Sequence, residues 1–306
     1  MGLEEKLIQT IERGEDFNTT EALLIASGIN SPLEIEAYKN KLQTISNDFS
    51  AILRKRLSDG TVFDEIKDRQ DEGLLSSDSE ALMGYELQRY FFETKSERYN
   101  SRFLFNEVID AQLSDSKEVG NCLGLVALYH TVGELIGVKT LPVFTRAHTY
   151  LQQSTDRGNR ILIETTDSKG YNAEKEELGK VGTKIDLVSE MYQTRINESR
   201  DRNERNQLID ILIRINPNNP KPYASRAMDF FEDEDYENAG INFREALDRD
   251  KTNDSYFSGY AACLFKKGDI DSAKFYVKHA LRLNSASEYA KGLLTEMEAV
   301  DQSPNQ

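Results

Sequence analysis

The stretch "GNCLGLVALYHTVGELIGV", Gly120 to Val138, decides how the chain is read. A turn-forming Gly-Asn pair precedes Cys122, and an apolar run follows through Leu123, Leu125, Val126, Ala127, Leu128, Val132, Leu135 and Ile136. Apolar residues all round a helix mark one enclosed by other elements. The run therefore predicts a buried helix that starts near Asn121 and ends by Gly137, a residue suited to closing a helix. Cys122 falls in its first turn, where unpaired N–H groups and the helix dipole favour a thiolate. Two readings stand at this point. Cysteine is among the most buried residue types and can simply pack, or it can act as a nucleophile.

Upstream, the first hundred residues or so read as helices. Asn18 with Glu21 and Ser31 with Glu34 have capping-box spacing, and Pro32 suits a first helical position. A helix is expected from Ser31 to about Arg56, then a turn at Asp59-Gly60 and helices around 62–70, 78–95 and 101–113, the last capped by Asn100 or Ser101. Downstream, "TLPVFTRAHTYLQ" and "RILIETT" are rich in β-branched and aromatic residues and flank the turn-like "STDRGN". They predict an antiparallel hairpin. Residues 168–185 are charged and contain glycine, a place for a boundary.

Of the three histidines, His279 is expected on a solvated face, and His130 lies more than two helical turns from Cys122. His148, in the predicted strand, is the candidate base. If the hairpin turn centres near 156–158, the position across from His148 falls among residues 164–167, which offer Glu164 and Asp167. A centre on 156 places Glu164 opposite, a centre on 157 places it diagonally on the same face, and a later centre places Asp167 opposite. A carboxylate there would orient the imidazole and stabilise its charged form.

Cysteine at a helix start, histidine in a strand and an acid at the end of the next strand resemble the transglutaminase-like superfamily of papain-type cysteine enzymes. "GNCLGLVALYHTVGELIGV", "RAHTYLQ" and "ILIETTDSKG" carry the resemblance. It implies Cys122 as nucleophile, His148 as base and Glu164, by the position of "ETT", as the acid, where the superfamily usually has aspartate. Tyr150 is the nearest match to the aromatic residue that commonly follows the histidine. The fold also implies the Cys122 backbone N–H as one oxyanion donor, and Asn100 and Gln112 are candidates for the second. Asn100 fits a helix cap equally well.

The last third of the chain repeats. Ala227, Ala239, Phe243 and Ala246 recur 34 positions on as Ala261, Ala273, Val277 and Ala280, and Tyr223 recurs as Phe257. A further step back finds Ile209, Leu212 and Pro217 at matching places, but Gln193 where a small residue is expected. This order resembles tetratricopeptide repeats, whose stacked helix pairs build a concave surface for a protein or extended peptide. With "EDFNTTEALLIAS" and "YNSRFL" (Tyr99–Leu104), the chain resembles bacterial transglutaminase-like proteins that carry such repeats. The expected architecture is α+β: a helix-rich domain with a small antiparallel sheet over 1–185, then an all-α repeat module over 186–300.

Composition narrows the function. In 306 residues the formal charge is −15 with no basic tract, so nucleic acid is not expected as a partner. No run approaches the roughly 20 apolar residues that span a bilayer, and the acidic, amphipathic start lacks a signal-peptide pattern, so no membrane association and a cytoplasmic protein are expected. Cys122 and Cys263 stand far apart and form no ligand pair, so neither a disulfide framework, nor a metal, nor a cofactor is expected. The expected activity is cysteine-dependent acyl transfer, by amide hydrolysis or exchange, on a protein or peptide held partly by the repeats. The alternative is a non-catalytic interaction scaffold.

Overall fold

In a computed structural model of the chain, which describes residues 2–71, 79–145, 148–155, 158, 160–172 and 179–302, the capping pairs start helices as their spacing predicts. The Asn18 side chain accepts from the Glu21 N–H at 2.9 Å and Ser31 from the Glu34 N–H at 3.4 Å. Seven helices follow one another: α1 (Leu3–Glu12), α2 (Thr19–Ala26), α3 (Pro32–Asp59), α4 (Thr61–Asp71), α5 (Ser79–Thr94), α6 (Phe105–Leu113) and α7 (Cys122–Leu135). Gly60 closes α3 in the left-handed conformation, at φ 79°. The helix expected over 101–113 begins only at Phe105. The residues ahead of it, 98–100, pair with 119–120, and the Phe105 N–H donates to the Ser27 hydroxyl at 2.9 Å.

Every residue of α7 from Leu123 to Gly133 is buried. It packs on α3, α5 and α6 and on the first two strands of the sheet. A Cβ at Gly124 would come within 2.6 Å of Val108 Cγ2, so glycine there lets α6 lie close to the helix start.

The sheet has four strands, β1 (Thr140–Phe144), β2 (Thr149–Ser154), β3 (Arg160–Ile163) and β4 (Lys180–Val181), in the order β3-β2-β1-β4 with every pairing antiparallel. The stretch expected as one strand of a single hairpin is folded back on itself. The Thr145 N–H donates to the His148 carbonyl at 2.9 Å, so His148 stands in a turn just before β2 rather than in a strand. Arg146 and Ala147 of the quoted "RAHTYLQ", residues 156, 157 and 159 of the second turn, and 173–178 of the charged stretch lie outside the described residues. The chain forms two compact units, Met1–Thr194 and Arg195–Gln306, the division falling within α8 (Lys184–Glu198). Among the described residues no helix is long and apolar enough to cross a membrane, and no cluster of potential metal ligands occurs.

The second unit carries α9 (Arg202–Ile215), α10 (Lys221–Glu232), α11 (Tyr236–Arg249), α12 (Asp254–Lys266), α13 (Ile270–Leu283) and α14 (Glu288–Gln302). The pair α10–α11 recurs as α12–α13, with Ala227, Ala239 and Ala246, and 34 residues on Ala261, Ala273 and Ala280, fully buried where the helices cross. These are tetratricopeptide-like helical repeats. His279, expected on a solvated face, is half-buried and stacks on Phe257 at 4.3 Å between ring centroids, because the aromatic repeat position beneath it offers an apolar surface.

Two glycines test this packing. A Cβ at Gly259 would lie 2.4 Å from the Phe243 ring, whereas one at Gly292, inside α14, meets nothing within 4 Å. Gly259→Ala should destabilise the chain by about 1–3 kcal/mol through overpacking, and Gly292→Ala should stabilise it by up to about 1 kcal/mol through helix propensity. Urea denaturation measures both; equal effects would show that Phe243 moves aside without cost.

Candidate functional site

Asn121 starts α7 by accepting from the Gly124 N–H at 3.0 Å, while its own N–H donates to the Arg102 carbonyl at 2.7 Å. Cys122 is thereby the first residue of the helix, partly exposed, with the unpaired N–H end of the helix around it.

The register of β2 on β3 pairs Leu151 with Ile163 and Gln153 with Ile161, which centres the turn on 157. Extended by three residues, that register sets 148 across from 166 and leaves Glu164 diagonal on the same face. His148 Nε2 lies 2.6 Å from Glu164 Oε2. Glu164 is buried immediately past β3, and its other oxygen accepts from the Thr166 N–H at 3.0 Å and the Thr166 hydroxyl at 2.6 Å. Asp167 is exposed, and its carboxylate accepts from the Lys169 N–H at 2.9 Å. Of the two acids, the structure brings Glu164 to the histidine.

The same His148 ring is the electrostatic partner of the Cys122 thiol. The Thr149 N–H also lowers the pKa of the Cys122 thiol. The bond from Thr145 to His148 fixes the alternation along β2, so Thr149 turns its N–H away from β1, toward β3. Its partner there would be Thr165, but β3 ends at Ile163. The donor is therefore free for the sulfur.

Burial works against a thiolate at Cys122, yet the His148 hydrogen bond, the Thr149 N–H, the His148 charge and the Leu123 N–H together hold the thiol below its ordinary range. The hydrogen bonds to Cys122 and then to Glu164 raise His148 to about 9, against its burial. The two shifts share one cause, the closeness of thiol and imidazole, and each favours the charged form of its group. Cys263, buried inside α12, is pushed up to about 12 by desolvation and remains a neutral thiol.

The side-chain candidates for the second oxyanion donor are engaged with other partners. Asn100 accepts from the Arg102 N–H at 2.9 Å and donates its amide to Glu118, so it caps a turn rather than α6. Gln112 is buried, donating to the Thr94 hydroxyl at 3.2 Å and accepting from Arg98 at 3.4 Å. Glu118 lies 18 residues after Asn100, and Thr94 and Arg98 lie 18 and 14 residues before Gln112, so these engagements leave no local signal in the sequence. Tyr150 is buried, its hydroxyl accepting from the Gly179 N–H at 3.0 Å. Sequence reasoning missed Thr166 and Thr149. A hydroxyl residue two positions after an acid is a local turn signal that marks Thr166, whereas the role of Thr149 follows from where β3 stops.

The second unit holds a cavity of about 480 Å³ lined by Met228, Phe231, Phe243, Tyr256, Ala262 and Tyr289, with serine hydroxyls between them and no charged residue in the lining.

No protein-family model matches the chain, and no curated protein matches it. Among solved structures, menin, determined with its binding site for Mixed Lineage Leukemia protein, is 10% identical over 99% of this chain and 78% of its own, with a TM-score of 0.58. That likeness is one of fold. The tetratricopeptide-repeat domain of Arabidopsis OM64 is 21% identical over 37% of this chain and 95% of its own, TM-score 0.35. The first such domain of Spaghetti (RPAP3), solved with the HSP90 peptide SRMEEVD, is 18% identical over 38% and 94%, also at 0.35.

Alkylation of the folded chain with iodoacetamide, followed by peptide mapping, should label Cys122 before Cys263, with a pH midpoint below the roughly 8.5 of a free cysteine. His148→Ala should slow the labelling and raise the midpoint; no effect of the histidine would remove the thiolate assignment. The histidine also has a stability signature. Because its pKa is raised from 6.5 to about 9, the stability it contributes is fully present below the unfolded value and lost as pH rises through the folded one. Urea midpoints of the wild type and His148→Ala should therefore differ most at about pH 6 and converge by about pH 10.

Proposed function

We propose that the chain is a protein-interaction protein whose repeat module holds an extended peptide in the groove of the second unit. The cavity of about 480 Å³, apolar and uncharged in its lining, carries this reading. Its occupant is a large neutral side chain, matched to the apolar lining. Menin, of the same fold, has a binding site for another protein, which supports the reading by analogy only. Random-peptide display on the full chain should yield peptides with a Leu, Met or Phe anchor. Met228→Glu and Tyr289→Glu, at side chains 51% and 59% exposed, should each weaken a selected peptide by about tenfold or more while leaving Cys122 labelling unchanged. Binding retained in both variants would exclude the groove.

A second reading, cysteine-dependent acyl transfer, is favoured by one observation: His148 is hydrogen-bonded to the Glu164 carboxylate and is the electrostatic partner of the Cys122 thiol. The thiolate attacks an amide carbonyl, the Cys122 N–H at the helix start faces the oxygen as it gains charge, and the imidazolium passes its proton to the leaving amine as the C–N bond breaks. A thioester remains. Water or an amine, deprotonated by His148, then releases the acyl group and restores the thiol, while Glu164 stays ionised throughout. On this reading the first unit is a transglutaminase-like domain, and no cofactor takes part. An activated ester such as p-nitrophenyl acetate should leave an acyl group on Cys122 detectable by intact mass. Glu164→Gln should slow that acylation by at least about tenfold, and Asp167→Asn should barely change it. The reverse ranking, or no adduct at Cys122, would leave interaction as the function.

A further inference from the structure

We infer that Gln88 is a positioning residue for the carboxylate of the thiol centre, an inference that rests on the acyl-transfer reading. Gln88 lies on the buried face of α5, 2% exposed, among Tyr85, Leu87 and Phe91. A primary amide in such surroundings is costly unless its hydrogen bonds are made. Its Nε2 makes two, donating to the carbonyl of Glu164 at 2.8 Å and to that of Asp167 at 3.0 Å. Both acceptors belong to the turn that carries the acid. That turn is also closed by the Glu164 N–H on the Gly170 carbonyl at 2.8 Å and the Gly170 N–H on the Asp167 carbonyl at 3.0 Å.

Gly170 limits the same turn from its other side. A Cβ there would fall 2.3 Å from the Glu164 carbonyl oxygen and 2.5 Å from Glu164 Cβ, so only glycine fits against the acid. The helix that bears Gln88 is in turn tied to the sheet, the Tyr171 hydroxyl donating to the Ala81 carbonyl at 2.5 Å and Gln153 Nε2 to the Glu80 carbonyl at 2.6 Å. The backbone of Glu164 is thus fixed by α5 and by Gly170, and its carboxylate by Thr166. A shift of the turn would lengthen the 2.6 Å contact to His148, weaken the imidazolium, and with it the thiolate.

The test reads the pH midpoint of Cys122 alkylation in the full chain. Gln88→Met keeps the length of the side chain and removes the donor. It should raise the midpoint by roughly half a unit or more, a fraction of the 1–3 units that a neighbouring charge supplies, in the same direction as Glu164→Gln. Leu87→Ala, at a fully buried neighbour on the same helix, controls for loss of stability and should leave the midpoint in place. Should Gln88→Met fail to fold, Gly170→Ala, pressing on the turn from the other side, supplies the same readout. An unchanged midpoint in the Gln88 variant beside a shifted one in Glu164→Gln overturns the positioning role and leaves the acyl-transfer reading intact, and so does an equal shift in Leu87→Ala. No shift in either His148→Ala or Glu164→Gln removes that reading and Gln88's role with it.

Discussion

A helix that is apolar on every side can offer only an end to chemistry. α7 is enclosed by α3, α5, α6 and the sheet, and its start is where Asn121 caps it and Cys122 follows. The constraint reaches outward from there. Strand β2 lies against α7, which brings His148 to the cysteine, and β3 pairs with β2 in a register that sets Glu164 diagonally across from the histidine. Thiol, imidazole and carboxylate thus come from three segments whose common reference is one buried helix.

The signals that could be read in the sequence are local ones. Asn18-Glu21 and Ser31-Glu34 announce their helices through pairs three residues apart, α7 through unbroken apolar character, and the repeats through a 34-residue period whose alanines are fully buried. The diagonal placement of Glu164 was legible once the turn was allowed to centre on 157. It rests on the two-residue alternation of strands, which fixes faces without any knowledge of the tertiary structure.

What stayed hidden either lacks the usual local residues or depends on partners distant in the chain. Thr145 to His148 contains no Gly, Pro, Asn or Asp, so the fold-back that separates β1 from β2 lacks the usual turn residues. Asn100 had the chemistry of a helix cap, but residues 98–100 are held by the chain just before α7, and α6 starts at Phe105 without a side-chain cap. Gln112 was in range by residue type alone; its partners Thr94 and Arg98 are on the loop side of α5. Gln88 reads as one polar residue in a mostly apolar helix, and nothing near it in sequence points to residue 164.

The early end of β3 has a consequence of its own. A sheet normally conceals its backbone polarity by pairing every row, and here one row is left unfinished beside Cys122, where the Thr149 N–H lowers the pKa of the thiol instead of pairing with β3. Two more residues of regular β3 would make the sheet more complete and the sulfur less acidic. Regularity and reactivity are therefore in competition at this one position, and the bend that lifts Glu164 toward His148 is also what keeps the Thr149 N–H for the thiolate.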